Sequence, residues 1–270
     1  PAKRLRLVGL TGTNGKTTTS FLIQHLLQHA GLKTGVIGTI RTDDGTEQGR
    51  RAASLTTPGA IQFSRELARM AAAGCRAVVA EVSSHALEQG RAAALSFHAA
   101  VFTNLTQDHL DYHHTMASYA QAKSILFKSL DPNGHAILNL DDEYAPLVLA
   151  DYAGPVWWTT LKDNNPNDDK IVCRASDITP RANDSSGCFT GQWGKAQATL
   201  PLVGEHNVCN TLQAIAAAHS ITDLSGSLRQ ALESIPQVPG RLEKINPPKR
   251  HEANTASDNE TPAVLVDYAH

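Results

Sequence analysis

The chain has 270 residues, a formal net charge of -2 at pH 7 and 41% hydrophobic residues. This length allows one large α/β domain with a substantial core, and the balanced charge gives no electrostatic reason to bind nucleic acid or an anionic membrane. Since no apolar run approaches the roughly 18 residues needed to cross a bilayer, we expect no membrane association.

Short apolar runs alternate with amphipathic helical patterns through the first half of the chain. The strand-like runs, which are rich in Val and Ile, cover residues 5–10, 35–40, 77–82, 99–105 and 136–140. The helical patterns cover residues 17–30, 60–73 and 118–130. Because this alternation is typical of βαβ units, we expect an α/β fold of the P-loop type. Its mostly parallel sheet would be flanked by helices and would bind ligands at the carboxyl ends of the strands.

The first strand leads directly into a glycine-bearing turn that opens the first helix. The residues of this turn and of the helix start are Gly12, Thr13, Asn14, Gly15, Lys16, Thr17 and Thr18. A strand, turn and helix in this order direct backbone N–H groups and the helix dipole at one point, which favours a phosphate. Lys16 adds a mobile positive charge, and the Thr17 hydroxyl is of the type that binds the accompanying Mg2+. The general P-loop pattern has a glycine where this chain has Leu10, and a plain glycine-rich helix start is the alternative.

Two further groups of polar residues follow predicted strands. The hydroxyls of Thr56 and Thr57 precede a proline, where they could line a site or only cap the next helix. Glu81 ends the third strand, where a buried carboxylate is costly unless a cation meets it, so we infer a metal ligand that faces the P-loop. Helix capping would explain Ser83 and Ser84 but leaves Glu81 unexplained.

The stretch after the fourth strand, residues 108–114, is rich in groups that bind metals or transfer protons. No tetrahedral zinc spacing fits it and cysteine ligands are absent, so magnesium held with a single histidine suits the neighbouring phosphate site better. We interpret His113 and His114 as ordinary loop residues. In the amphipathic helix that follows, Tyr119 is a predicted core contact, and sequence chemistry alone treats Lys123 as an ordinary solvated lysine.

The chain changes character in its second half. Hairpin-like turns and segments with a period of two over about residues 155–202 predict a small antiparallel β flap on the parallel core. A helical pattern returns over residues 206–221. Within it, Asn207 and Asn210 share one helical face, so they could reach a base or ribose together or simply cap the helix.

The end of the chain combines a long polar segment with a last apolar run. The polar residues 246–262 predict a mobile surface loop between two strands. The apolar residues 263–266 predict the second of these strands, which would deliver Asp267, Tyr268 and His270.

The cysteines and the chain ends indicate the cellular compartment of the protein and the extent of the chain. The four cysteines are far apart and lack paired metal-ligand spacing, which predicts packing residues in a reducing compartment. No apolar signal segment precedes the first strand, so we expect a cytoplasmic protein. The chain begins without Met and stops directly after a strand-like run, and we therefore expect a fragment of a longer protein.

Short strings of residues follow one another along nearly the whole chain. They are TGTNGKT (11–17), TTP (56–58), EVSSH (81–85) with QGR (89–91), TNL (103–105) with DHLDYH (108–113), YAQAK (119–123), NLDD (139–142), GEHNVCN (204–210), GR (240–241) and DYAH (267–270). In this order they resemble the central ATP-binding domain of the Mur ligase family, most closely its MurE type. The TGTNGKT form belongs to that family and accounts for Leu10. The chain departs from the type at His114, where Gly is usual, and at His206, where Phe is common.

The resemblance implies a role for each matching residue. The catalytic residues would be Lys16, which holds the transferred phosphate, Glu81, His109 and Lys123. The ligands of Mg2+ would be Thr17, Glu81, His109 and Lys123, the last as a carbamylated lysine. ATP would be bound by Gly12, Thr13, Asn14, Gly15, Lys16, Thr17, Thr18, Asn104, Asn139, His206, Asn207, Asn210, Arg241 and Asp267. The muramoyl-dipeptide substrate would be held by Thr56, Thr57, Ser83, Gln89 and Arg91.

The implied chemistry is ATP-dependent amide ligation in peptidoglycan precursor synthesis. ATP would phosphorylate the terminal carboxylate of UDP-N-acetylmuramoyl-L-alanyl-D-glutamate, and the amine of meso-diaminopimelate or L-lysine would then displace phosphate. Residues 1–270 would form the central domain alone, without the N-terminal domain that binds the uridine nucleotide and the C-terminal domain that selects the amino acid. We therefore expect the isolated chain to be inactive in the full reaction, and we expect a monomer.

Two other functions stay open at this point. Folylpolyglutamate and cyanophycin synthetases share the P-loop and the sheet, although the strings at 81–85 and 108–113 favour the Mur ligases. A nucleotide-binding module that no longer ligates is the non-enzymatic alternative.

Overall fold

An 11-stranded mixed sheet dominates the computed structural model, which describes residues 4–162, 171–245 and 264–267. The chain divides into two units, Pro1–Ile235 and Pro236–His270, and this sheet belongs to the first. Its strands are β1 (Arg6–Thr11), β2 (Thr34–Ile37), β3 (Arg41–Asp43), β4 (Arg51–Ala52), β5 (Ala77–Glu81), β6 (Phe97–Phe102), β7 (Leu130–Asn139), β8 (Val156–Thr160), β9 (Ile171–Pro180), β10 (Ser185–Gly191) and β11 (Gly194–Leu200). Their order across the sheet is β11-β10-β9-β8-β7-β6-β1-β5-β2-β3-β4.

Strand β1 lies between two parallel neighbours, β5 and β6. Leu10 is opposite Glu81 on one side and Val101 on the other, so the carboxyl ends of the three strands lie at the same edge of the sheet. Apart from Arg6, β1 is buried, because helices cover both faces of a parallel sheet. The predicted α/β fold with a mostly parallel sheet is confirmed, and its P-loop strand occupies an interior position.

Helices flank the sheet on both faces. They are α1 (Lys16–His29), α2 (Ala60–Ala72), α3 (Ser84–Glu88), α4 (Leu110–His113), α5 (Met116–Lys128), α6 (Ala145–Leu149), α7 (Glu205–His219) and α8 (Leu228–Glu233). Residues of α1 and α7 share one hydrophobic core with Val8 and Leu10, while residues of α2 and α5 share a second core with Leu7. Successive residues of β1 therefore contribute to opposite cores, as the alternation of side chains along a strand requires.

The antiparallel segment at the β11 edge of the sheet is smaller than the flap predicted over residues 155–202, and a second antiparallel segment, β2–β3–β4, lies at the opposite edge. Strands β9, β10 and β11 pair antiparallel, but β8 pairs in parallel with both β7 and β9. Trp157 packs in one hydrophobic core and Trp158 in the other, so β8 is buried on both faces like the other parallel strands. The prediction was wrong at this strand because two adjacent tryptophans fit a buried parallel strand as well as a hairpin.

The second unit contains a two-stranded antiparallel sheet. Strand β12 (Glu243–Ile245) pairs with β13 (Val264–Val266), and Asp267 follows β13 directly. The predicted last strand is thus present. The predicted loop over residues 246–262 lies outside the described residues, as do Tyr268 and His270.

The described residues also bear on membrane association and on the cysteines. Within these ranges, no helix has both the length and the apolar character needed to span a bilayer. Cys75, Cys173, Cys188 and Cys209 are free, and the first three are buried. The prediction that the cysteines are packing residues is confirmed for those three, since buried thiols behave as small apolar side chains.

Lowering the pH is expected to destabilise the first unit, because it contains partly buried histidines. His135 and His219 both lie beside the Trp157 ring, at 4.7 and 6.1 Å between ring centroids. Burial lowers the pKa of both imidazoles. As the pH falls, these histidines are therefore protonated at a higher pH in the unfolded chain than in the folded one. Their contribution to the free energy of unfolding is complete above about pH 6.5 and is lost below it.

The measurement is thermal unfolding at about pH 7.5, 6.5 and 5.5, a range in which histidine changes charge. His219→Gln should flatten the dependence of the melting temperature on pH, and His114→Gln, at an exposed position, should leave it unchanged. A melting temperature that stays constant over this range would contradict the expectation.

Candidate functional site at the strand ends

The turn between β1 and α1 is shaped by two glycines with positive φ angles. Gly12 has φ 147°, and Gly15, which precedes α1, has φ 84°. A Cβ atom at Gly12 would lie 1.9 Å from the Thr103 hydroxyl oxygen, and one at Gly15 would lie 2.4 Å from Asn210 Oδ1. Such positions require glycine. The turn has the strand, glycine and helix geometry of a phosphate-binding loop, and it is called the P-loop (residues 11–18) below.

Two residues at the end of β6 brace the P-loop. The Asn14 N–H donates to Asn104 Oδ1 at 3.0 Å, and Asn104 Nδ2 donates back to the Asn14 carbonyl at 3.1 Å. The Thr103 hydroxyl donates to the same carbonyl at 2.6 Å, and Thr13 N–H donates to the Asn104 carbonyl at 2.8 Å. Asn104 therefore positions the P-loop, and its predicted direct contact with ATP stays a prediction.

The Lys16 side chain folds back across its own loop. Its Nζ donates to the Gly12 carbonyl at 2.9 Å and to the Thr13 carbonyl at 2.8 Å. Both acceptors belong to the P-loop, so the ammonium group lies against the loop itself. Thr17 and Thr18 follow it on α1 and are buried.

Glu81 is the buried carboxylate at the end of β5, with 1% of its surface exposed. It accepts hydrogen bonds from the hydroxyls of Thr17 (3.1 Å) and Ser20 (3.4 Å) on α1. From the other side it accepts the Thr39 N–H (3.2 Å) and the Thr39 hydroxyl (2.8 Å). The inferred meeting of Glu81 with the P-loop is therefore present, and Thr39 is a partner that the sequence motifs did not indicate.

The donors at this position fit a magnesium ion. Mg2+ prefers oxygen ligands, and it usually combines one or two carboxylates with substrate phosphates and water. Thr17 and Glu81 supply a hydroxyl and a carboxylate that lie 3.1 Å apart beside the P-loop. Across the ranges that the structure describes, no group of three or more His, Cys, Asp or Glu side chains is arranged to hold a metal.

Lys123 is not the solvated lysine that its helical position suggests. Its side chain on α5 is 1% exposed, and its Nζ lies 4.0 Å from the centroid of the Tyr119 ring. Burial and then the charge of Lys16 hold its pKa well below the usual range, while Asp108 acts in the opposite direction. A lysine with a lowered pKa has a larger neutral fraction, which is the nucleophilic form of the amine.

His113 is a buried residue, which corrects its interpretation as an ordinary loop residue. It ends α4 with 3% exposure, its Nε2 lies 2.8 Å from the Ser84 hydroxyl, and its ring stacks on Tyr119 at 4.8 Å between centroids. His114 is exposed, which fits its interpretation as an ordinary loop residue. His109 is also exposed and its ring lies 6.1 Å from that of Tyr119, which thus has His109, His113 and Lys123 around it. The sequence offered only the spacing of four residues between His109 and His113 as a hint that they belong together. This spacing does not show that His113 is buried.

The residues assigned to the muramoyl-dipeptide gather around the end of β5. The Thr57 hydroxyl donates to the Glu81 carbonyl at 2.9 Å and accepts the Ser83 N–H at 3.0 Å. Arg91 donates to the Thr57 carbonyl at 2.8 Å and to Gln89 Oε1 at 2.9 Å. Thr57 therefore does not cap α2, which begins after Gly59. Ser83 does act as a cap, because it accepts the Ala86 N–H at the start of α3.

The two asparagines of α7 are buried beside the P-loop. Asn207 and Asn210 are each 6% exposed, and Asn210 Nδ2 lies 3.4 Å from Asn207 Oδ1. Asn207 Nδ2 donates to the Val203 carbonyl at 2.8 Å, and the Asn210 side chain lies against Gly15. The residue before α7 is Gly204, so neither asparagine occupies the capping position. Their predicted contact with a base or ribose stays a prediction.

The remaining predicted ATP ligands occupy different surroundings. Asn139 Nδ2 donates to the carbonyl of Thr103 at 3.4 Å, so it contacts one of the two residues that support the P-loop. His206 is exposed in the first turn of α7. Arg241 and Asp267 belong to the second unit, in which Asp267 is exposed.

Known proteins match this chain over most of its length. The model of the Mur ligase middle domain matches residues 10–218. Two relatives named UDP-N-acetylmuramoyl-L-alanyl-D-glutamate--2,6-diaminopimelate ligase, from Gloeobacter violaceus and Nostoc sp., are 41% and 39% identical over 100% of this chain and 51% of their own length. A solved structure of an enzyme with the same name is 31% identical, with a TM-score of 0.77 over 92% of this chain and 50% of the other. The chain thus spans about half the length of the relatives it matches.

Proposed function

The chain belongs to the Mur ligase family, and from this premise we propose that it is the ATP-binding core of a diaminopimelate-adding ligase. The reaction would join 2,6-diaminopimelate to UDP-N-acetylmuramoyl-L-alanyl-D-glutamate at the expense of ATP. The names of the relatives support this substrate pair over L-lysine. The protein would act in the cytoplasm as a monomer in peptidoglycan synthesis, together with flanking domains that bind the uridine nucleotide and the amino acid.

One observation carries the proposal: Glu81 contacts both the P-loop and Thr57. We assign residues 56–57 to the acceptor and call them the acceptor loop. The Glu81 carboxylate accepts the hydroxyl of Thr17 in the P-loop, while its backbone carbonyl accepts the hydroxyl of Thr57 in the acceptor loop. An enzyme that phosphorylates an acceptor carboxylate must hold that carboxylate close to the terminal phosphate of ATP. The contacts of Glu81 support such an arrangement.

The residues of the P-loop would neutralise charge during phosphoryl transfer. The N–H groups at the start of α1 and the Lys16 ammonium would bind the terminal phosphates, after Lys16 leaves the carbonyls of Gly12 and Thr13. Thr17 and Glu81 would hold one Mg2+, and His109 and a carbamylated Lys123 would hold a second. The metal supplies charge neutralisation on the phosphate oxygens.

Neither step needs a protein nucleophile. An oxygen of the acceptor carboxylate would attack the γ-phosphorus, and the bond from that phosphorus to ADP would break. The diaminopimelate amine would then attack the carboxyl carbon and lose a proton, and the bond from carbon to phosphate oxygen would break. The chain's contribution is to orient the acceptor and to neutralise the phosphate charge.

The test is a chimera in which this chain replaces the matching region of the Nostoc relative. We expect phosphate release that requires both the uridine-linked dipeptide and diaminopimelate, with the amide product identified by mass spectrometry. L-lysine is the alternative amine, and the same chimera with Lys128→Ala, at the exposed end of α5, is the matched control. ATP binding without turnover on either amine would overturn the ligase proposal in favour of a nucleotide-binding module.

A further inference from the structure

Thr39 is the second residue after the end of β2, at a position that none of the sequence motifs contains. Its N–H donates to Glu81 Oε1 at 3.2 Å. Its hydroxyl oxygen lies 2.8 Å from Glu81 Oε2 and 3.1 Å from the Thr56 hydroxyl oxygen. Thr39 thus contacts both a residue of the proposed metal site and a residue of the proposed acceptor loop.

The chemistry of the groups gives these hydrogen bonds a direction. A hydroxyl has one proton to donate, and an ionised carboxylate only accepts. Thr39 is the donor in both contacts, and its single proton goes to Glu81 as the closer and charged acceptor, while the Thr56 hydroxyl oxygen is the competing acceptor. The Glu81 carboxylate and the Thr56 hydroxyl oxygen therefore compete for the single Thr39 proton.

The residue before Thr39 makes this contact possible. A Cβ atom at Gly38 would lie 2.3 Å from Glu81 Oε1, closer than a carbon atom can approach that oxygen. Gly38 thus lets the backbone at Thr39 come within hydrogen-bond distance of the carboxylate. Because Thr17 and Ser20 hold the carboxylate from α1, Thr39 completes its restraint from the β2 side.

We propose that Thr39 is a positioning residue that orients the Glu81 carboxylate for the metal–nucleotide complex and couples it to the acceptor loop at Thr56. This role rests on the proposed function, since it assigns Glu81 to metal binding and Thr56 to the acceptor. A substrate that engages the Thr56 hydroxyl would change how strongly Thr56 competes for the Thr39 proton, and through Thr39 the hydrogen bonding of Glu81. The coupling needs no movement of the backbone.

The test measures the dissociation constant of Mn2+ for this chain with a saturating non-hydrolysable ATP analogue. Thr39→Val removes the hydroxyl but keeps the side-chain shape and the N–H, and it should weaken Mn2+ binding about tenfold. Thr39→Ser keeps the hydroxyl and should stay within about twofold of the wild type. Thr199→Val, at an exposed position on β11, is the matched control and should change nothing.

A double-mutant cycle tests the coupling to the acceptor loop. Thr56→Val removes the competing acceptor and should strengthen Mn2+ binding about twofold to threefold, and adding it to Thr39→Val should cause no further change, because its effect passes through Thr39. Binding of the nucleotide in the absence of metal should be equal in all variants, which a general loss of structure would not produce.

The outcomes separate the two proposals. If the wild type binds the metal–nucleotide complex and Thr39→Val binds Mn2+ equally well, the role of Thr39 is overturned and the proposed function stands. If Thr39→Val is weaker but the effects of the two substitutions are additive, the coupling to Thr56 is overturned. A wild-type chain that binds no metal–nucleotide complex would overturn the proposed function and the role of Thr39 together.

Discussion

Lys16→Ala is expected to abolish ATP binding by the chain. The Lys16 ammonium is held at the P-loop by the Gly12 and Thr13 carbonyls, and in the proposed complex it exchanges these for phosphate oxygens. Charge-assisted hydrogen bonds to phosphate are each worth about 1.5–3 kcal/mol, so losing them should weaken binding by at least about a hundredfold. Isothermal titration calorimetry with ATP and Mg2+ measures the loss.

A matched set of variants separates charge from loop structure. Lys16→Arg keeps the charge but not the compact ammonium, so it should bind ATP more weakly than the wild type and better than Lys16→Ala. Lys128→Ala removes an exposed lysine at the end of α5 and should have no effect. If Lys16→Ala binds ATP as the wild type does and unfolds at the same temperature, the assignment of the P-loop is wrong.

Lys123→Ala is expected to remove ligase activity in the chimera by more than about a hundredfold, because a ligand of the proposed second metal is lost. The amine is buried beside Tyr119, and its pKa is well below the usual range. The neutral amine can add CO2 to form a carbamate, whose oxygens are of the type that binds Mg2+. Short-chain carboxylates added to Lys123→Ala should therefore restore part of the activity.

The carbamate also has a readout that does not depend on turnover. With 13C-labelled bicarbonate, the NMR spectrum of the wild-type chain should contain a carbamate signal that Lys123→Ala lacks. Lys123→Met fills the buried space without an amine, so it separates chemistry from the cavity that alanine leaves. Activity that survives in Lys123→Met, or a carbamate signal that persists in it, would remove this role from Lys123.

Much of the fold follows from local sequence patterns. The apolar runs predicted the parallel strands, because a strand that is buried on both faces needs continuous apolar residues. The helical periodicity predicted the helices between them. The positions of Gly12 and Gly15 were also readable from the sequence, since a turn with positive φ requires glycine. Adjacent tryptophans in β8 did not distinguish a parallel strand from a hairpin, because either arrangement can bury both rings.

The candidate site was predictable in part. Glu81 was singled out because a carboxylate at the end of a buried strand is costly unless a cation meets it. The structure places the Thr17 hydroxyl beside it, and the metal stays a proposal. The Thr57 hydroxyl remained ambiguous in the sequence, since a cap and a site residue have the same local pattern. In the structure this hydroxyl donates to the Glu81 carbonyl and does not cap α2, and its contact with a substrate stays a prediction.

The sequence by itself determined the βα alternation, the P-loop and the order of the motifs that define the family. Only the tertiary structure decided that Lys123 and His113 are buried around Tyr119, and that Thr39 reaches Glu81. The physical reason is that periodicity and turn residues act between near neighbours, whereas the burial of a polar side chain depends on segments that are distant in sequence. Thr39 and Glu81 are 42 residues apart in the chain, and they meet because β2 and β5 are adjacent parallel strands.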